Sequence, residues 1–163
     1  MSVHKIRFLP DPVLRQKAKK VSKIDASIER LIDDMIETME AVSGVGLAAN
    51  QIGVPLKIAV IRIPGEEVMV LINPEIMEKE GERVISEACL SVPGYQGEIK
   101  RSVKVKVKAK NRQGRSMRIK GEDLLAQALE HELDHLSGIV YVDRIEDPDK
   151  LHKLEAESDE EGL

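Results

Sequence analysis

A chain of 163 residues with 42% hydrophobic content suits one domain around a single sizeable core and requires no second. Aromatic residues make up only 2% of it, with no Trp, so the core must be aliphatic, and the stacking platforms of single-strand nucleic-acid binders are missing. No apolar run approaches the roughly 18 residues of a membrane span, and the N-terminus has no apolar stretch for a signal peptide, so we expect a cytoplasmic protein with neither DNA nor membrane among its partners.

In chain order, Asp11 caps a short helix with Pro12 at its first position, and Ile28, Leu31, Ile32, Met35, Met39 and Val42 trace one face of a second helix. Those methionines read as core and not as ligands. The phrase Gly44-Val45-Gly46-Leu47-Ala48-Ala49-Asn50-Gln51 follows, where either glycine also suits the end of the preceding helix. Strand-like runs come next at Leu56–Ile63 and Val68–Asn73, then a third ending near Cys89. Val103, Val105, Val107 and Ala109 alternate with Lys104, Lys106, Lys108 and Lys110, which predicts a strand with one buried and one solvated face. Gly121 separates the strands from a helix starting near Glu122–Asp123, apolar through Leu124, Leu125, Ala128, Leu129, Leu133 and Leu136 and therefore expected to be buried. Gly138 ends it. Residues 155–163 carry five carboxylates and no Lys or Arg; with the whole chain at −4, residues 1–154 carry +1. Such a tail is expected to fray or be disordered, leaving 1–154 as the catalytic domain.

Residues 131–135 read His-Glu-Leu-Asp-His. Residues four apart stack on one helical face, so His131 and His135 can direct ring nitrogens at one ion. Glu132 projects about 100° further round, where it suits a general base better than a ligand. A hydrolytic ion needs a third protein ligand, and the thiolate of the single cysteine, Cys89, beside two imidazoles suits zinc, ferrous iron or cobalt. One cysteine cannot form an internal disulfide, and a reducing compartment keeps it available. Each piece also has a plain reading, since H-E-x-x-H arises by chance in helices and a lone cysteine is usually an inert buried hydrophobe.

Together the pieces carry a resemblance. Gly44-x-Gly46-Leu47-Ala48-Ala49-x-Gln51, then Cys89-Leu90-Ser91, then His131-Glu132-x-Asp134-His135 resemble the three motifs of bacterial peptide deformylases, and Leu9-Pro10-Asp11-Pro12-Val13-Leu14-Arg15 resembles that family's N-terminal segment. The likeness covers roughly residues 5–145. It implies an α+β fold, a single domain of antiparallel β-sheets wrapped around a buried central helix that carries H-E-x-x-H. It also implies removal of the N-formyl group from formyl-methionine at the start of new polypeptides. The roles implied are Cys89, His131 and His135 as ligands of one divalent ion, with Fe2+ the expected metal and Zn2+, Ni2+ or Co2+ alternatives. Glu132 is the proton carrier, and the Gln51 amide with the Leu90 backbone N–H receive the developing oxyanion. Val45, Ile85, Leu124 and Ala128 surround the methionine side chain, while backbone near Gly46 and Ala88 pairs with the peptide as an added strand. For Val45, Ile85 and Leu124 plain core residence is the alternative.

The partners implied are N-formylmethionyl nascent peptides. A transient ribosome contact stays open, but not through the acidic tail, which RNA phosphates would repel. An endopeptidase with the same helical motif, or a non-catalytic metal-binding module, are the competing classes; the thiolate and the Gly-Gln phrase speak against the first, and Glu132 against the second.

Two positions depart from the family pattern: Ala88 where Gly is usual, and Glu130 where Gln is usual. Glu130 and Asp134 are like charges four apart, worth a few tenths of a kcal/mol unfavourably on an exposed helix and more if buried, unless an Arg or a shared proton intervenes. Arg101 is a candidate partner for a carboxylate here, Glu87 among them; otherwise Glu130 points to solvent. Asp134 either orients a ligand histidine or makes a surface ion pair. His4 and His152 read as surface residues.

Overall fold

The computed structural model describes residues 2–154, so the tail expectation for 155–163 lies outside the described residues. Asp11 accepts the Val13 N–H at 3.0 Å and opens one 3-10 turn, Pro12–Arg15. Asp25 likewise accepts from Ile28 N–H at 3.0 Å and starts helix α1, Ala26–Ala41. Ile28, Ile32, Met35 and Met39 form its buried face, so the methionines are core. Val42 does not join them: it caps the helix and is 40% exposed. Ser43, with φ 53°, takes the left-handed position that follows, and neither Gly44 nor Gly46 adopts such a conformation.

Among the described residues eight strands follow this start: β1 (Gly46–Ala48), β2 (Ile58–Ile61), β3 (Met69–Glu80), β4 (Arg83–Cys89), β5 (Val92–Arg101), β6 (Lys104–Lys110), β7 (Ser116–Glu122) and β8 (Leu151–Lys153). All pair antiparallel, in a five-stranded sheet ordered β1-β2-β3-β6-β7 and a three-stranded sheet ordered β4-β5-β8. Helix α2, Asp123–Leu136, touches strands of both sheets and is the buried central helix that the sequence leads one to expect. Alternation along β1, β2 and β3 sends Leu47, Ile58, Val60 and Ile72 to the side of α1, and Ala48, Ala59, Ile61 and Leu71 to the side of α2. A strand covered on both faces needs no polar side, which is why β2 reads as an unbroken apolar run. Among the described residues no helix is long and apolar enough to cross a membrane.

Three differences from expectation have local causes. β3 runs on past Asn73 to Glu80, and Pro74 is tolerated because a register shift between Ile72 and Glu75 interrupts the ladder there. β5 and β7 were not anticipated, β5 because Pro93, Gly94 and Gly97 imitate a loop. Gly121 is not a break but lies within β7; a Cβ there would stand 2.7 Å from Leu129 Cδ1, so its absence lets α2 sit close on the strand. The β6 lysines are exposed as expected, and Lys104 and Lys106 face Glu122 and Glu78 at 3.5 and 3.0 Å, not an open basic surface.

Candidate metal centre

His131 and His135 lie one turn apart on α2 with their Nε2 atoms 3.2 Å from each other, and Cys89 at the end of β4 brings Sγ to 3.3 Å from His135 Nε2. All three residues are buried, and their candidate ligand atoms lie within 4.8 Å of one another. Donors held about 2.0–2.3 Å from a tetrahedral ion stand about 3.3–3.6 Å apart, which the two separations at His135 Nε2 approach, and the third pair lies within 4.8 Å.

The orientation of His131 comes from outside the helix. Its Nδ1–H donates to Glu87 Oε2 at 2.6 Å, leaving Nε2 to face Cys89 and His135. Glu87 in turn accepts Arg101 Nε and Nη2 at 3.0 and 2.6 Å and Gln127 Nε2 at 3.2 Å. Burial alone would raise the Glu87 carboxyl, but His131 and Arg101 hold it down at about 2. Burial opposes charge on His131 as well, yet Glu87, Cys89 and Glu132 outweigh it and favour a positive charge at this point. Burial and the charge at His131 act the other way on His135, whose pKa falls well below the usual value, so its ring stays neutral and free to bind a metal.

Glu87, not Asp134, is therefore the acceptor that orients a ligand histidine. Asp134 instead receives Arg101 at 2.8 Å and Arg144 at 2.6 and 2.7 Å. Glu130 neither points to solvent nor meets Asp134 unscreened: it is buried, accepts the Ser102 N–H at 2.6 Å and lies 3.3 Å from Lys79 Nζ. His4 and His152 are exposed.

Glu132 is fully buried and neither carboxylate oxygen has a hydrogen-bond partner. Burial pushes it up to about 7, into the range where a carboxyl group can take and return a proton. Gly46 makes room for it: a Cβ at Gly46 would stand 2.9 Å from Glu132 Cδ and closer still to Oε2. Gln51 is also fully buried; its Oε1 accepts the Ala48 N–H at 3.0 Å, while Nε2 donates to Ser91 Oγ at 3.1 Å and lies 3.8 Å from Cys89 Sγ. The amide is fixed with its donor end beside the thiolate.

The residues expected around the substrate are less closely gathered. Val45 and Ala128 share the buried cluster between α2 and the large sheet, whereas Ile85 packs against the cluster that contains Cys89. Leu124 is 37% exposed, so the core reading of it is wrong. Ala88 and Leu90 are half-buried, and both β1 and β4 are the terminal strands of their sheets. Glu87 had a sequence signal, since residues two apart on a strand share a face and Cys89 was already a ligand candidate. Ser91 stood in the quoted Cys89-Leu90-Ser91 phrase without a role, and Gln127 and Arg144 had no signal.

Two imidazoles and a thiolate with an unpartnered carboxylate next to them are the equipment of a metal-dependent hydrolase. Residues 3–151 match the family model described as Polypeptide deformylase, and the chain belongs to that family. A peptide deformylase of Dehalococcoides mccartyi is 54% identical over 94% of this chain and 93% of its own length. A crystal structure of a peptide deformylase from Legionella pneumophila superposes with TM-score 0.88 at 47% identity, covering 91% of this chain and 89% of that one. A peptide deformylase from Synechococcus elongatus in complex with actinonin gives TM-score 0.87 at 39% identity, covering 90% and 81%.

Proposed function

We propose that this chain removes the N-formyl group from formyl-methionine at the start of new polypeptides, releasing formate and a free amine, with Cys89, His131 and His135 as its metal ligands. The observation that carries the reading is Glu132, a buried carboxylate with both oxygens unpartnered beside the ligand histidines. A divalent ion held there supplies, when bound, Lewis acidity and a water acidic enough to react near neutral pH. Fe2+ is the ion we assign, and the same donors accommodate Zn2+, Ni2+ or Co2+.

Glu132 accepts the proton of the attacking water and returns it to the leaving nitrogen. Negative charge developing on the formyl oxygen is received by the Gln51 amide, already oriented by Ala48 and Ser91, and by the Leu90 backbone N–H. The peptide lies as an added strand against the backbone of Gly46 on β1 and Ala88 on β4, which explains indifference to residues beyond methionine because main-chain groups do not read side chains. Val45, Ile85, Leu124 and Ala128 form the methionine pocket. Its place is the cytoplasm, where such peptides are made, and any ribosome contact is made without residues 155–163.

Anaerobic purification with metal analysis, alongside formate release from a formyl-Met peptide, tests the reading. Metal at one equivalent with formate release supports it; cleavage of internal peptide bonds without formate release would replace deformylation with endopeptidase action. Deleting residues 155–163 is expected to leave ribosome cosedimentation unchanged.

A further inference from the structure

Glu130 adjoins a ligand histidine yet has no part in the chemistry above. Its buried carboxylate leaves α2 in two directions, with Oε1 accepting the Ser102 N–H where β5 has just ended and Oε2 facing Lys79 on β3. One side chain thus ties the helix to both sheets beside His131. Ser102 follows Arg101, which grips Glu87 with two N–H groups, and Glu87 accepts from His131 Nδ1. His131 follows Glu130 in the chain, so the contacts close a ring. The imidazole is held by its bond to Glu87, Arg101 fixes the place of Glu87, and Glu130 holds the backbone beside Arg101.

We propose that Glu130 is a positioning residue for the metal centre, setting the orientation of His131 through Ser102, Arg101 and Glu87; this rests on the reading of His131 as a metal ligand. The oxygen facing Ser102 carries the effect. A glutamine oxygen accepts the same N–H, whereas alanine leaves that buried N–H without its partner. Lys79 is half exposed, and its pairing with Glu130 contributes little by itself. Loss of a group that orients a metal-bound histidine typically weakens metal affinity by about 10- to 100-fold.

Competition between a chelator and the full-length chain for Co2+, with the visible spectrum of the cobalt protein, measures this directly. Glu130→Ala is expected to raise the Co2+ Kd by about 10- to 100-fold and to change the spectrum. At saturating cobalt it lowers kcat while KM holds. Glu130→Gln restores most of the affinity and the wild-type spectrum, and Lys79→Met leaves both in place. Wild-type binding by Glu130→Ala, or equal damage in Glu130→Gln, overturns the proposal. Should Glu130→Ala not fold, Glu130→Asp shortens the reach to Ser102 by one methylene, and an unchanged cobalt spectrum in that variant overturns it equally. His131→Ala separates the two readings: if it binds Co2+ as tightly as the wild type, the ligand assignment fails, and if it loses the ion while Glu130→Ala keeps it, only the role of Glu130 fails.

Discussion

Helices α1 and α2 lie on opposite faces of the same sheet but bury different chemistry. The inner face of α1 is Ile28, Ile32, Met35 and Met39 with one Thr, whereas α2 buries Glu130, His131, Glu132 and His135 among its leucines and alanines. An apolar face asks only for volume and shape, so α1 is satisfied by whatever aliphatic surface fills the space. A buried polar face asks for partners one by one, and for α2 they arrive from β4 and the segment after β5: Glu87 for His131 and the Ser102 N–H for Glu130. Glu132 has neither, and it is the group proposed to carry the proton. Errors on α1 should therefore cost stability alone, and errors on α2 should cost function first.

The largest effect expected is from Glu132→Ala, which removes the proton carrier and should lower kcat for formate release by about 10²–10⁴ while the chain still binds metal. A variant that kept its rate would break the contrast at its centre. Gln51→Leu should lower turnover by about 10²–10³, again without loss of metal in elemental analysis. Arg101→Met leaves Glu87 buried without its guanidinium, and denaturant melts should show a loss of about 3–5 kcal/mol together with weakened metal binding. Ile32→Ala, on the α1 side, should cost about 2–5 kcal/mol in the same melts and leave metal affinity unchanged, since the cavity forms in the cluster under α1. If it released metal, the two faces would not be independent.

The smallest effect belongs to Asp25. The Ser27 hydroxyl and the Ile28 N–H hold its carboxyl below the usual value of 3.8. A carboxyl depressed in the folded state stabilises fully above its unfolded value and loses that contribution as pH falls through the folded one. Wild type and Asp25→Ala should therefore differ in thermal midpoint at pH 7 and converge as the pH falls through that depressed value. A gap that persisted in acid would assign the effect to something other than the charged cap.

What was legible in the sequence follows the same division. The face of α1, the alternation of β6 and the pair His131 and His135 are periodic patterns within a few residues, and periodicity survives without a structure. Cys89 was legible because a hydrolytic ion with two imidazoles lacks one donor and the chain holds one cysteine. The partners of Glu130 were not legible, because Ser102 and Lys79 reach it only once β3 and β5 have taken their places in different sheets. β5 hid behind its Pro and Gly residues. Leu124 misled for the opposite reason: its type suits the core, but it stands at the start of α2, where the helix has not yet gone under cover.

Gly46 gives the arrangement a further consequence. With the space above its Cα occupied by the Glu132 carboxylate, any larger residue there competes with that carboxylate for the same volume. Half-buried Ile85 leaves room for other side chains, but position 46 does not: whatever replaces its hydrogen must first displace the Glu132 carboxylate from where it lies.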